Sequence, residues 1–179
     1  MNHLATSKED ILAASRDLIK ENGWAAVSIR AVASRCSVSA GTIYNYYESK
    51  ADLLSDTIES IWHEIFFHPE DEQVFHDVES CISWIYERLE YGNRQFPGFF
   101  SLHSFGFMRD EKTSGKKRMM KTWGHILNGL CEVLENDPKV RADVFDQEFT
   151  EKKFADILFS LILVSMIRQD YDPSSVLML

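Results

Sequence analysis

Helix-capping side chains divide the first 50 residues of the chain into short helical segments. Thr6 is followed three residues later by Glu9, a spacing at which each side chain satisfies a backbone N–H group of the other residue at a helix start. Further serines stand just before helical patterns and are typical caps, namely Ser28, Ser39 and Ser49. The sequence therefore predicts three short helices, followed by a longer helix that begins near Lys50.

Helical periodicity continues through the rest of the chain, and no segment alternates apolar and polar residues over the length of a strand. The fourth helix is expected to run toward Phe67, and a short aromatic helix is expected to end at about Met108. Longer helices are expected over about 71–91, 117–135 and 150–169. This pattern predicts an all-α fold.

The second and third short helices are joined by a turn of three or four residues, which is the arrangement of a helix-turn-helix. Ile43 and Tyr47 lie four residues apart and face the small core. Tyr44 and Tyr46 cannot both share that face, because one short helix cannot turn successive positions inward. Their hydroxyl groups suit phosphate oxygens, and Asn45 suits a base edge. The alternative is that the tyrosines only close the core, which we expect of Tyr47.

Charge is unevenly distributed along the chain. Residues 1–50 carry six Lys or Arg against five Asp or Glu, a net charge of +1. Residues 51–179 carry 13 against 23, a net charge of −10. Only the first segment can approach a polyanion without strong repulsion, so the two segments are expected to have different functions.

The segment SIRAVASRCSVSAGTIYNYYESKADLL, from Ser28 to Leu54, resembles the DNA-binding segment of the tetracycline-repressor (TetR) family. The resemblance extends back through ILAASRDLIKENGW and covers about the first 55 residues. Three positions depart from the family pattern: Ser37 replaces the turn glycine, Ala40 stands where lysine is common, and Glu48 stands where lysine or another polar residue is common. The last two substitutions lower the positive charge, so non-specific DNA affinity is expected to be weaker than is typical.

The resemblance implies a helix-turn-helix DNA-binding domain over residues 1–48 and a helical effector-binding and dimerisation domain over residues 49–179. It implies that Ser28 contacts phosphate. It implies that five residues face the major groove or its edge, namely Ser39, Ala40, Gly41, Thr42 and Asn45. It implies that the DNA backbone is held by Tyr44, Tyr46 and Lys50.

The last predicted helix is apolar nearly all round, and such a helix must be buried on more than one side. The resemblance implies that the two C-terminal helices form a four-helix bundle across a two-fold axis. The expected dimer interface then contains Trp123, Leu127, Leu130, Leu134, Phe154, Leu158, Leu161, Ile162 and Ser165. Core within a single chain is the alternative for about half of these apolar positions, since one face of a helix suffices for such a core.

Large aromatic side chains are frequent between residues 62 and 125, where the resemblance implies an effector cavity. The expected lining consists of Trp62, Phe66, Trp84, Phe99, His103, Phe107 and Trp123. Such a pocket suits a flat, hydrophobic small molecule, and acidic surroundings also suit a cationic one. The alternative is that these aromatic residues, spaced as in helices, belong to the core.

Other classes of protein find little support in the sequence. The cysteines are three, widely spaced and without a C-x-x-C pair, and no histidine pair has metal-ligand spacing. No nucleophile elbow, P-loop or paired-carboxylate motif occurs. Residues 2–10 are polar, and the apolar stretch 154–167 is shorter than a membrane span. We therefore expect a cytoplasmic protein without cofactor, metal, enzymatic activity or membrane partner.

These observations favour a homodimeric transcriptional regulator, a repressor that a small-molecule effector releases from a palindromic double-stranded DNA operator. The alternative is an all-α small-molecule-binding protein or enzyme whose helix-turn-helix has no function. An activator, or a co-regulator that recruits a protein partner, also fits the sequence.

Overall fold

The computed structural model describes residues 6–66, 75, 77–100, 114–141 and 143–179, without the side chains of 114–122. In these ranges the chain contains helices and no strand, which confirms the all-α prediction. The helices are α1 (Lys8–Asn22), α2 (Ile29–Arg35), α3 (Ala40–Tyr44), α4 (Lys50–Phe66), α5 (Val78–Gln95), α6 (Ser114–Asn136) and α7 (Glu151–Arg168), with a 3-10 helix at Trp24–Ala26. The aromatic helix expected near Met108 lies outside the described residues.

The capping box of α1 lies one residue later than predicted. Ser7 is the N-cap, and its hydroxyl oxygen accepts a hydrogen bond from the Asp10 N–H at 3.1 Å. The Asp10 carboxylate accepts from the Ser7 N–H at 2.8 Å, and the hydrogen bonds from Ser7 lower the pKa of Asp10. The Thr6 hydroxyl lies 3.5 Å from the Ser7 carbonyl oxygen, to which it donates, and it does not cap the helix. The predicted caps Ser28, Ser39 and Ser49 are confirmed, each accepting from the N–H group three residues later.

The turn between α2 and α3 contains a strained serine. Ser37 has a φ of 57°, in the left-handed region that favours glycine. A residue with a side chain is held there at a cost of about 1 kcal/mol. Ser37 is exposed, so removal of its side chain leaves no cavity.

Replacement of Ser37 by glycine is therefore expected to raise the free energy of unfolding by about 1 kcal/mol. Urea denaturation of the two proteins measures this difference. Ser34 provides the control, because it is exposed in α2 with ordinary helical geometry, where Ser→Gly is expected to destabilise. Equal destabilisation by both substitutions would contradict the strain at Ser37.

Ion pairs join α4 to α1. Lys8 Nζ lies 2.6 Å from Asp56 Oδ2, near the starts of the two helices. Further along, Glu64 accepts from Arg16 Nε at 3.0 Å and from Lys20 Nζ at 2.7 Å. Asp56 and Glu64 lie two turns apart on one face of α4, so this face is held against α1 over most of its length.

The chain divides into two compact units. The first contains α1 to α4 together with the end of α5 from Gly92, and the second contains α5 up to Tyr91 and the chain from Met119 onward. The α4 helix, which was predicted to begin the second domain, thus lies in the unit of the helix-turn-helix. The functional boundary between residues 48 and 49 stays a prediction.

In the first unit, Gly92 lets the end of α5 approach α4 closely. A Cβ atom at this position would lie 2.6 Å from Ile65 Cδ1 and 3.0 Å from Phe100 Cζ. Both neighbours are fully buried. Any side chain here would therefore force its buried neighbours to shift, so glycine suits this close approach.

In the second unit, the buried side chains of α5, α6 and α7 form a core. Its fully buried members include Tyr86, Leu89, Leu130 and Leu158. The buried Asp137 carboxylate, just after α6, accepts hydrogen bonds from the backbone N–H groups of Val78 and Lys139, each at 2.8 Å. This carboxylate ties the beginning of α5 to the end of α6. None of the described helices has the length and apolar character that a bilayer crossing requires.

Candidate nucleic-acid interface

The α3 helix is anchored from one side only. Ile43 is fully buried and Tyr47, just beyond the helix, is buried as well. Ser39 caps the helix, and its hydroxyl lies 3.0 Å from the Thr42 hydroxyl. The opposite side of this short helix therefore faces solvent with a hydroxyl-rich edge.

The outward side of α3 carries groups that the fold itself does not use. Tyr44 is 55% exposed, and its hydroxyl makes no hydrogen bond with any residue that the structure describes. Asn45 is exposed as well. A Cβ atom at Gly41 would meet only Ser39 Oγ, at 3.6 Å, which is ordinary contact. The chain's own packing therefore does not require glycine at this position.

Tyr46 differs from its neighbour. It is 39% exposed, and its hydroxyl donates a hydrogen bond to the Thr6 carbonyl oxygen at 2.7 Å. Since a tyrosine hydroxyl has one proton, this proton is committed to the protein's own backbone. The predicted role of Tyr46 in holding the DNA backbone would require that this bond be broken.

Two cations of the helix-turn-helix remain available to an anion. Within the described chain, Arg30 at the start of α2 and Lys50 at the start of α4 are exposed and form no ion pair. Arg35, by contrast, donates to both Glu21 carboxylate oxygens, and this pairing raises the pKa of Arg35 and lowers that of Glu21. The other described cations before Lys50 are also paired, namely Lys8, Arg16 and Lys20.

Sequence reasoning included Lys50 in the candidate interface and missed Arg30. The signal that could have found Arg30 is its place two residues after the predicted cap Ser28, on the first turn of α2. Among the nine predicted DNA-contact residues, Ser28 is half-buried. Ala40 and Thr42 are partly exposed as well, so these residues also lie on or beside the helix-turn-helix surface.

Three of the predicted effector-pocket residues come together in the first unit. Trp62 lies 5.6 Å from each of the rings of Phe66, Phe99 and Phe100, measured between centroids, and we call these four residues the aromatic cluster. All four are buried, and Trp62 Nε1 has no hydrogen-bond partner among the described residues. The cluster is thus apolar with one unused donor.

The other predicted pocket residues lie elsewhere or are not described. In the second unit, Trp84 contacts the Phe75 ring at 5.2 Å and Trp123 contacts the Phe159 ring at 5.7 Å. His103 and Phe107 lie outside the described residues.

Some of the predicted dimer-interface residues are buried within the chain and others are partly exposed. Leu130, Leu134, Leu158 and Ile162 belong to the core of the second unit, which leaves almost none of their surface for a partner. Partly exposed positions are Trp123, Leu127, Phe154, Leu161 and Ser165, the last with its hydroxyl 2.8 Å from that of Tyr86.

Three further apolar residues of α7 remain exposed. Ile157, Val164 and Ile167 recur on one face of the helix and are 45%, 45% and 51% exposed. We call these three residues the α7 stripe. An apolar stripe of this length on the surface of a helix is typical of an interaction face.

Neither nucleophilic nor metal chemistry is supported by the described residues. Burial raises the pKa of all three cysteine thiols, that of Cys81 to about 11, so the thiols stay protonated at neutral pH. In the described part of the chain, no group of three or more His, Cys, Asp or Glu could hold a metal ion.

Comparison with known proteins finds a similar segment in a family of regulators. Residues 11–57 match the family described as bacterial regulatory proteins, tetR family. The HTH-type transcriptional regulator UidR of Escherichia coli K12 is 38% identical over 48 residues, which cover 27% of this chain and 24% of UidR. The sequence similarity thus spans about a quarter of the relative.

Solved structures extend the likeness to the fold of the whole chain. A TetR transcription regulator from Haloarcula marismortui superimposes with a TM-score of 0.69 at 19% identity, over 89% of this chain and 83% of that one. FadR of Bacillus subtilis, in complex with stearoyl-CoA, superimposes with a TM-score of 0.63 at 16% identity, over 89% and 85%. Residues 11–57 are therefore similar to the tetR family of bacterial regulatory proteins, and the solved structures share the fold of the chain.

Proposed function

We propose that the protein is a DNA-binding transcriptional repressor that acts as a homodimer and is released from a palindromic operator by a small molecule. The observation that carries this proposal is the outward surface formed by α2, α3 and the start of α4. It combines hydroxyl and amide side chains that the fold leaves unused with two unpaired cations. A surface of this composition suits a phosphate backbone and the base edges next to it.

Each part of this surface has a distinct role in the proposal. Arg30 and Lys50 neutralise phosphates on either side of α3, and the free Tyr44 hydroxyl donates to a third phosphate. Gly41 lets the beginning of α3 approach the groove, because no side chain stands between them. Asn45 reads a base edge, where its amide can both donate and accept.

Recognition of an operator requires two copies, since one short helix reads only a few base pairs. The α7 stripe supports a dimer, because three large aliphatic side chains on one face gain about 25 cal/mol for each Å² that a second copy covers. The partly exposed interface candidates named above then surround the stripe.

The aromatic cluster is the proposed effector site. It lies on α4, whose other face is ion-paired to α1, so a ligand that displaces α4 displaces the helix-turn-helix with it. The complex of FadR with stearoyl-CoA supports an effector with a large apolar part. Near-complete release requires that the effector bind the non-DNA-binding arrangement more tightly by about 5 kcal/mol.

The proposal is tested by adding the protein to labelled DNA from the region upstream of its own gene. Fluorescence anisotropy measures the binding at several salt concentrations. Salt-sensitive binding that saturates at one dimer per inverted repeat supports it. Absence of salt-sensitive binding even at low ionic strength would favour the alternative, a small-molecule-binding protein or enzyme. Thermal-shift screening with acyl compounds and lipophilic cations then identifies effectors, because a ligand of the folded state raises the Tm.

Replacement of Arg30 or Lys50 by alanine is expected to weaken binding to all DNA sequences alike and to flatten the salt dependence. Each lost phosphate contact lowers the slope of log K against log salt concentration by about 0.9 per half-site. Arg35→Ala is the matched control, because Arg35 is neutralised by Glu21 and should leave the slope nearly unchanged. If Arg35→Ala changed the slope as much as Arg30→Ala does, ion pairing would not distinguish the cations that contact DNA from those that do not.

A further inference from the structure

The chain entering α1 is fastened to the end of the recognition helix α3. The hydroxyl of Tyr46 donates to the Thr6 carbonyl oxygen at 2.7 Å, across 40 positions of sequence. Thr6 is buried, and two residues later Lys8 pairs with Asp56 and lies over the Tyr47 ring, with Nζ 5.6 Å from the ring centroid. Residues 6–8 are therefore docked on the segment between α3 and α4.

This bond and a phosphate contact compete for one proton. A phosphate offers only acceptor oxygens, so Tyr46 could serve it only by leaving Thr6. That exchange would remove the hydrogen bond of the partly buried Thr6 carbonyl, and a polar group left without a partner inside a protein is destabilising. In the observed arrangement, Tyr46 thus serves the protein and Tyr44 is the tyrosine with a free hydroxyl.

The hydrogen bond from Tyr46 to Thr6 lies where it can orient the end of α3. The α3 helix has only five residues, from Ala40 to Tyr44, and Asn45 follows directly as its C-cap. Ile43 and Tyr47 hold the inner side through apolar contact, which is less directional than a hydrogen bond and allows small rotations of the segment about its axis. The Tyr46 hydrogen bond is directional and lies one residue after Asn45, so it does fix that rotation.

We infer that Tyr46 is a positioning residue that acts through Asn45, setting the angle at which the Asn45 amide meets the base edge. The inference rests on the proposed function, in which Asn45 reads a base. It changes the role of Tyr46 from a general grip on the DNA backbone to a determinant of sequence specificity.

The test compares operator DNA with a scrambled duplex of equal length, using Tyr46→Phe, Tyr44→Phe, Asn45→Ala and the double variant Tyr46→Phe/Asn45→Ala. Tyr46→Phe is expected to lower operator affinity about three- to tenfold, while affinity for the scrambled duplex stays unchanged. Tyr44→Phe, the matched control, is expected to lower both affinities by the same factor. In the Asn45→Ala background, Tyr46→Phe is expected to have no further effect on operator affinity.

The ratio of the two affinities is the decisive measurement. A loss of stability alone does not move this ratio, because both duplexes are titrated against the same folded fraction. Equal losses on both duplexes from Tyr46→Phe would show a phosphate contact and overturn the inference, as would an undiminished loss in the Asn45→Ala background. If Asn45→Ala leaves base preference unchanged, the base-reading role of Asn45 fails as well. Absence of DNA binding by the wild-type protein would overturn the proposed function itself.

Discussion

Val164→Glu is expected to convert the protein from a dimer to a monomer and to lower its operator affinity by about a hundredfold or more. Val164 lies at the centre of the α7 stripe and is 45% exposed, so the substitution leaves the core of the second unit intact. In a dimer through this face, the new carboxylate would be buried against apolar side chains without a partner, which is strongly unfavourable. Loss of the second recognition helix then removes the gain in affinity of about 10²–10⁴ that linked binding sites provide.

Sedimentation equilibrium and operator titration measure the two effects of Val164→Glu. Val144→Glu is the matched control, since Val144 has the same exposure of 45% but lies in the loop before α7. It is expected to remain dimeric and to bind the operator as the wild-type protein does. A dimeric Val164→Glu variant with unchanged operator affinity would place the interface elsewhere.

Gly92→Ala is expected to lower the free energy of unfolding by about 2 kcal/mol, opposite in sign to the usual effect of Gly→Ala in a helix. The added Cβ would lie 2.6 Å from Ile65 Cδ1 and 3.0 Å from Phe100 Cζ. Both atoms are the ends of buried side chains, so a shift of either one disturbs close-packed core. Relief of the contact therefore requires that these side chains repack or that the end of α5 shift.

Gly129→Ala is the control for this prediction. Gly129 lies in α6, and a Cβ there would meet no described atom within 4 Å. This variant is expected to gain up to about 1 kcal/mol from the better helix propensity of alanine. Urea denaturation, monitored by far-UV circular dichroism, measures the stability of the Gly92→Ala and Gly129→Ala variants. A gain in stability for both variants would contradict the close approach at Gly92.

Features that depend on neighbouring residues alone could be predicted from the sequence. The caps Ser28, Ser39 and Ser49 act on N–H groups three residues away, and the left-handed φ of Ser37 follows from the short turn in which it lies. The start of α1 was predicted one residue too early because Thr6 and Ser7 are each followed three residues later by an acidic residue. Ser7 caps the helix, whereas the Thr6 carbonyl oxygen accepts from Tyr46, a residue distant in sequence.

Features that depend on pairing across the chain could not be predicted. The α7 helix is apolar nearly all round, so its hydrophobic pattern does not say which face meets its own core and which stays exposed. The Tyr46 hydroxyl finds its acceptor 40 residues away. The distinction between Arg30 and Arg35 arises because only Arg35 has a carboxylate within reach. Both arginines count as cations in the composition, but in the described part of the fold only Arg30 is unpaired and available to an anion.

The scarcity of unpaired cations on the recognition surface bears on how the protein searches a genome. With Arg30 and Lys50 as the unpaired cations among the described residues of the helix-turn-helix, and a net charge of −9, each copy is held only weakly by random duplex. Most copies then diffuse freely between brief encounters instead of sliding along chromosomal DNA. Under the proposed function, a small number of molecules per cell is then expected to keep one operator occupied.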